Sequence, residues 1–186
     1  GLAIVRPADA NEVSACWLEI IKNAKPVGLA LSRQNLPVID RSKYNGTENV
    51  KNGAYVLAYG DENSTDKCEV ILIATGSEVH LALSAREHLL SIGIKARVVS
   101  APCLEWFVQQ PVSYQEKVLP KNIKARVSIE AGIAQSWYQF IGDSGVPVSL
   151  EHFGASASAP VLFKEFGFTV ENIVKAAQES ISKAHG

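Results

Sequence analysis

The stretch Cys68–Ala74 reads CEVILIA, a near-continuous apolar run that ends directly in Thr75-Gly76-Ser77-Glu78. Successive side chains of a strand point to opposite faces of its sheet. A strand that is apolar at almost every position therefore needs cover on both faces, as in parallel sheets. A helix opening at Thr75–Glu78 and running to Ile92 provides one cover. Its polar stripe of His80, Ser84, Glu87, His88 and Ser91 recurs at helical spacing, and Gly93 ends it. The alternation continues. Ala54–Ala58, Ile94–Ser100, Ala125–Glu130 and Val146–Leu150 read as strands, and residues 60–67 as a polar turn. Helices are expected near Leu104–Gln109, Ser113–Leu119, Ala134–Ile141 and Pro160–Phe166. Thr169 caps a last helix, with Glu171 in its favourable first turn. Its buried stripe is Val170, Ile173, Val174, Ala177 and Ile181. The expected fold class is α/β: a three-layer sandwich with a mostly parallel five-stranded sheet.

Ahead of this domain lies a shorter piece of the same kind. Leu2–Val5 reads as a buried strand, Arg6-Pro7-Ala8 as a turn, and Asp9 as a helix cap with Glu12 at capping-box spacing. Val13, Trp17, Ile20, Ile21 and Ala24 form one apolar helical face, and Val27–Leu31 reads as the next strand. The polar stretch DRSKYNGTENVKNG, Asp40–Gly53, follows. We expect residues 1–39 to be the end of an upstream α/β domain, 40–53 a linker and 54–186 a full domain. A strand-helix-strand remnant cannot bury both faces of its sheet, so an exposed apolar surface is expected around Leu2–Leu36.

The chain has 186 residues, 47% of them hydrophobic and 20% charged, with a net charge of −1. Nothing in that balance supplies the basic field that holds nucleic acid. The longest apolar run, near Val70–Thr75, is far short of the roughly 20 residues of a membrane span. Cys16, Cys68 and Cys103 are widely spaced, without a CxxC pair, so neither a disulfide framework nor a zinc site is indicated. Cys16 and Cys68 are expected in the core, and a reducing cytoplasm fits best. The start at Gly1 and the absence of Met point to a fragment.

Ligands of such sheets bind outside the carboxyl ends of the strands. Thr75-Gly76-Ser77 reads mainly as a helix cap, and otherwise as a backbone anion site. Glu130, at the end of a strand, reads as the partner of an amide or a positive charge. Glu151, His152 and Ser156 lie close in sequence, but a hydrolytic triad needs convergence from distant segments, and no GxSxG elbow is present. His80 and His88 read as solvated surface residues, and His185 as part of the terminal tail. Ser32-Arg33-Gln34-Asn35 follows a strand and precedes Leu36-Pro37, which stops a helix from continuing. An arginine there can aim its planar fork at a phosphate or carboxylate, or form an ordinary salt bridge.

Several of these segments resemble the transketolase family. They are Val5-Arg6-Pro7-Ala8-Asp9-Ala10-Asn11-Glu12, Ser32-Arg33-Gln34-Asn35-Leu36-Pro37 and Ile73-Ala74-Thr75-Gly76-Ser77-Glu78-Val79. Val127–Gly132, His152–Ala157 and Phe166–Asn172 continue the match in the family's order. The sequence departs from common family forms at Ala101-Pro102-Cys103 and Ile133-Ala134-Gln135. The resemblance covers the end of the pyrimidine-binding middle domain and the whole C-terminal domain. It implies an intact enzyme that moves a two-carbon ketol unit from a ketose phosphate to an aldose phosphate. Thiamine diphosphate, held with Mg or Ca, supplies the carbanion chemistry. It also implies that the catalytic, cofactor-binding and metal-binding residues lie outside this chain, and that Arg33 grips the sugar phosphate. The implied partners are the missing N-terminal and middle domains and a second subunit of a homodimer. The isolated chain is then inactive. The alternatives are a non-catalytic, anion-binding α/β module, or a piece of a dihydroxyacetone synthase or deoxyxylulose phosphate synthase. The SRQNLP run favours transketolase over the last of these.

Overall fold

A computed structural model describes residues 1–61 and 67–186. The chain opens with β1 (Ala3–Val5), α1 (Ala10–Asn23) and β2 (Val27–Leu29), and β1 and β2 pair in parallel. The main sheet holds β3 (Tyr55–Ala58), β4 (Val70–Ala74), β5 (Ala96–Ser100), β6 (Arg126–Ile129) and β7 (Val146–Val148). Their spatial order is β3-β5-β4-β6-β7; β3 runs antiparallel to β5 and every other pairing is parallel. The expected mostly parallel five-stranded sheet is what the chain forms. Of the turn expected at 60–67, residues 62–66 lie outside the described residues.

The apolar run of β4 explains the three layers. Val70, Leu72 and Ala74 enter one core, and Ile71 and Ile73 enter the other. The first core is closed by α2 (Glu78–Ser91) and α7 (Val170–His185) through Val79, Leu83, Leu89, Ile173 and Ala177. The second is closed by α3 (Leu104–Val108), α4 (Val112–Val118) and α5 (Tyr138–Ile141), with Phe107, Val118 and Phe140 at its centre. A further short helix, α6 (Ala159–Glu165), precedes α7. Thr169 caps α7 as expected, its hydroxyl accepting from the Asn172 amide at 3.2 Å. Cys16, Cys68 and Cys103 are all buried, and burial pushes the Cys103 thiol up to about 12. No described helix is long and apolar enough to cross a membrane.

Three local expectations need correction. The helix expected over Ala134–Ile141 is a 3-10 turn, Ala134–Ser136, followed by the single turn of α5. Between them Trp137 is buried with its backbone still helical, at φ −90° and ψ −23°, and its indole donates to Glu130 Oε2 at 2.5 Å. His185 sits in the last turn of α7, not in a tail. The third concerns Glu12, which turns inward as more than a cap, while the apolar face of α1 is exposed as expected for the Leu2–Leu36 surface. Trp17 is 53% exposed and Ile21 70% exposed, while Glu12 and Cys16 are buried against the main domain. The inward side is polar because Glu12 is fully bonded there. Its carboxylate accepts from Ala8 N at 2.8 Å, Tyr55 Oη at 2.7 Å and Ser100 Oγ at 2.6 Å. Glu12 thus completes a variant of the capping box: Asp9 caps the Glu12 amide at 2.8 Å, but Glu12 returns to Ala8 rather than to Asp9.

The polar stretch after residue 39 is also tied down. Arg41 donates to Tyr55 Oη and to the Asn45 carbonyl, each at 2.9 Å, and also reaches Asp9 Oδ1 at 3.2 Å. The Asn45 amide bonds Leu57 O at 2.9 Å, and Val50 is buried. Gly53 ends the 3-10 turn Val50–Asn52 at φ 84°, beside the carbonyl of Cys103. Val5, Ala8, Cys16 and Ile39 therefore share one core with Tyr55, Leu57 and Val70.

Candidate functional site

In the sheet order β3-β5-β4-β6-β7, the helix after β4 (α2) and the one after β6 (α5) pack on opposite faces, which opens a crevice between the carboxyl ends of β4 and β6. That crevice lies between the 75–77 and 130–132 loops. Arg6 fills it. The guanidinium donates through Nη1 to Glu130 and through Nη2 to Glu78 Oε2, the latter at 3.2 Å. Trp137 holds the second oxygen of Glu130, and Ser77 Oγ donates to Glu78 Oε1 at 2.6 Å. Burial pushes the Glu78 carboxyl above its usual range, against the pull of Arg6, Ser77 and the Ala131 amide. Glu130 is thus the partner of a positive charge, as read from sequence. Ser77 begins α2 without a side-chain capping bond, because its backbone is already helical at φ −60° and ψ −24°, and its hydroxyl donates to Glu78. Thr75 Oγ1 donates to Arg6 O at 3.2 Å, so this loop is neither a simple cap nor an open anion cradle.

Arg33 lies elsewhere. β1 pairs with β2 up to Val5 and Leu29, Ala30 N donates to Val5 O at 2.9 Å, and the chain then leaves the sheet through Ser32–Asn35. Ser32 Oγ donates to Gln34 O at 3.2 Å, bending the loop, and Pro37 bars a helix. Arg33 is exposed and, among the described residues, has no carboxylate partner. It borders an open cleft of about 950 Å³ whose far wall is residues 155–160 with Leu162 and Phe163. Gln34, Asn35, Ser156 and Ser158 add neutral donors, and no acidic side chain lines it. A cation beside hydroxyl and amide groups, with no competing carboxylate, suits the anionic end of a hydroxylated ligand.

The remaining candidates separate from each other. Glu151 accepts the Ala134 amide at 2.9 Å, and hydrogen bonds from Ser149 and that amide hold its carboxyl below the usual range. His152 Nδ1 lies 2.7 Å from Phe153 O and its ring packs edge-on to Phe166, so Glu151, His152 and Ser156 form no triad. His88 is exposed as expected, but His80 is half-buried with Nε2 3.2 Å from Ala8 O. The solvated reading of His80 is corrected: the turn ahead of α1 comes close enough to α2 to offer it a carbonyl. Two residues escaped the sequence reading. Arg6 ends a strand ahead of a proline, the same signal that singled out Arg33, and Glu12 was taken only as part of a cap.

Comparison with known proteins assigns the family. Residues 53–169 match the transketolase-like TK C-terminal domain. The chain is 49% identical over 181 residues to the transketolase of Mycobacterium leprae, covering 96% of this chain and 26% of that protein. It is 45% identical over 175 residues to transketolase 1 of Escherichia coli, covering 94% and 26%. Among solved structures, the transketolase from Leishmania mexicana superposes with a TM-score of 0.86 at 36% identity, over 97% of this chain and 25% of that one. The Campylobacter jejuni transketolase gives 0.77 at 31%, over 94% and 25%. The chain thus spans about a quarter of the length of the relatives it matches, at the level of sequence and of fold alike, and it belongs to the transketolase family, whose C-terminal domain it carries.

Proposed function

We propose that this chain is the C-terminal part of a transketolase and that Arg33 clamps the phosphate of the sugar substrates. The intact enzyme transfers a two-carbon ketol unit from a ketose phosphate to an aldose phosphate. Residues 1–39 are the end of its pyrimidine-binding domain, 40–53 the connection and 54–186 the C-terminal domain. The observation that carries this reading is Arg33 itself, exposed and, among the described residues, without a carboxylate partner on a cleft they line with no acidic side chain.

Thiamine diphosphate with Mg or Ca supplies carbanion stabilisation when bound to the whole enzyme. The residues of this chain do not fit that group. Among the described residues no cluster of His, Cys, Asp and Glu could hold a metal, and Arg6 and Trp137 already engage the carboxylates at the strand tips. This chain's part is to bind and orient. Arg33 neutralises the phosphate and fixes its distance from the reacting end, and neutral groups of the 155–160 loop face it across the cleft. The upstream domains and a second subunit are the partners, in the cytoplasm. Trp17, Ile21 and the 99% exposed Phe153 are apolar surface available for such packing.

The test is Arg33→Ala in the intact enzyme. A lost charge-assisted contact of about 1.5–3 kcal/mol raises KM for phosphorylated substrates roughly 10- to 100-fold. Unphosphorylated substrates change little. An unchanged KM for the phosphorylated sugars overturns the assignment. The isolated chain is expected to bind no thiamine diphosphate with magnesium by calorimetric titration and to catalyse no ketol transfer. Micromolar affinity or turnover by the chain alone refutes its role as a part.

A further inference from the structure

We propose that Arg6 is a positioning residue for Arg33: bound between Glu78 and Glu130 in the crevice past β4, it fixes the strand pair from which Arg33 projects. The proposal rests on the reading of Arg33 as the phosphate clamp.

The crevice at the centre of a doubly wound sheet is where such folds ordinarily seat a ligand. Here the seat is taken by a side chain of the same polypeptide, and the backbone of that residue is bound as tightly as its guanidinium. Arg6 N donates to Pro102 O at 2.8 Å, just past β5. Arg6 O accepts from Gly76 N at 3.0 Å and from Thr75 Oγ1 at 3.2 Å, just past β4. Through Glu130 the guanidinium also reaches the end of β6. One residue is therefore tied to the tips of three neighbouring strands.

From Arg6 to Arg33 the path is short. Val5 is in register with Leu29, Ala30 bonds Val5 O, and the loop holding Arg33 begins at once. The pair β1–β2 is only three residues long on each side, and the contacts of Arg6 at its carboxyl end set how it sits on the main sheet. Arg6 lines a separate cavity of about 220 Å³ with Glu130 and Trp137, not the cleft of Arg33, so it acts through the strand pair. A planar fork can serve two carboxylates from fixed directions, whereas a lysine ammonium reaches one well. Arg6→Lys should therefore loosen the anchor without removing the charge.

The test compares Arg6→Lys, Arg33→Ala and the double variant in the intact enzyme. Arg6→Lys is expected to raise KM for phosphorylated substrates about 3- to 10-fold, with kcat within about twofold and unphosphorylated substrates unaffected. In the Arg33→Ala background the same change is expected to add less than about twofold, because the residue it positions is gone. Glu130→Gln, which keeps the shape and removes one charge, should repeat the pattern if Arg6→Lys fails to fold. An unchanged KM for Arg6→Lys or Glu130→Gln, while Arg33→Ala raises it, overturns this inference and leaves the phosphate clamp standing. Equal effects in both backgrounds overturn it as well, since they mark a general loss of structure. An unchanged KM for Arg33→Ala overturns the clamp and this inference together.

Discussion

Removing the Glu12 carboxylate tests how the first 39 residues are fastened to the main domain. The group is fully buried and accepts three hydrogen bonds, from the Ala8 amide, Tyr55 and Ser100, with Arg41 Nη2 4.0 Å away. Glu12→Ala leaves these donors facing a void. Each buried donor without a partner costs about 1–3 kcal/mol, partly offset because a carboxylate need no longer be desolvated, so a net loss of about 3–5 kcal/mol is expected. Glu12→Gln keeps the shape and an acceptor for the Ala8 amide, and its new N–H groups can donate to the Ser100 hydroxyl after that hydroxyl rotates. Its cost at neutral pH is expected to be about 1 kcal/mol.

The two forms also differ in pH dependence. Burial pushes the Glu12 carboxyl above its ordinary value of 4.5, and the bonds from Ser100, Tyr55 and Ala8 and the charge of Arg41 only partly oppose this. The folded state then holds the proton more tightly than the unfolded state. The stability contributed by this group is complete below pH 4.5 and is lost as pH rises through the folded pKa. Glutamine does not titrate, so the advantage of wild type over Glu12→Gln should shrink as pH rises from 4.5. Urea unfolding of both proteins, followed by circular dichroism across pH 4.5 to 8, gives that difference directly. A flat difference, or one that grows with pH in favour of wild type, would refute the burial argument. A Glu12→Ala cost under about 1 kcal/mol would refute the network.

Two further substitutions probe the main domain. Gly53→Ala places a Cβ at φ 84°, 2.2 Å from Cys103 O and 2.4 Å from Phe107 N, both backbone atoms that no rotamer change can move. With about 1–2 kcal/mol for the left-handed conformation alone, a total loss of roughly 3 kcal/mol or more should appear as a lower urea midpoint; an unchanged midpoint contradicts it. Arg126→Met removes donors to the carbonyls of Phe140 at 2.5 Å, Pro120 at 2.9 Å, Ile123 at 3.0 Å and Leu119 at 3.3 Å, next to the ends of α4 and α5. Pro120 O keeps the Ile123 amide at 3.1 Å; at about 1 kcal/mol for each of the other three carbonyls, roughly 3 kcal/mol is lost, and Tm should fall by about 6–12 °C. A fall below about 2 °C would show that water replaces the guanidinium.

The main sheet was legible because burial on both faces writes itself into a strand as an unbroken apolar run. CEVILIA could hardly be anything else, and Val70 through Ala74 divide between the two cores residue by residue. Thr169 and the stripe of α7 were equally plain. α1 was only half legible. Periodicity found an apolar face in Val13, Trp17 and Ile21, but a hydrophobic pattern does not say what covers it, and the side toward this domain carries a buried glutamate. Hydropathy assigns glutamate to the outside; only its three donors, from three separate elements, make burial tolerable. The change from 3-10 to α geometry at Trp137 left no mark in the hydrophobic pattern. The place of Arg33, exposed just past a strand, was readable from its neighbours. The wall opposite it was not, because local sequence does not encode which distant loop will stand across a cleft.

The polar character of the junction suits the phosphate clamp we propose at Arg33. Apolar surfaces give strength without direction: packed side chains can slide or repack at small cost as long as area stays covered. A guanidinium that must meet a phosphate needs its position held to about half an ångström. Hydrogen bonds and ion pairs supply that precision because they weaken steeply with distance and angle. The strand pair bearing Arg33 meets the main domain through two such sets, Arg6 among Glu78, Glu130, Thr75 and Pro102 at one end, and Asp9, Glu12 and Arg41 among Tyr55 and Ser100 at the other. Two separated anchors fix both the position and the rotation of a rigid piece, which one cannot. Such a junction gives up some of the stability an apolar interface of the same size would provide, in exchange for a single orientation. Loosening the Arg6 anchor should therefore reach substrate affinity before it reaches folding, whereas removing Glu12 from the other strikes stability directly.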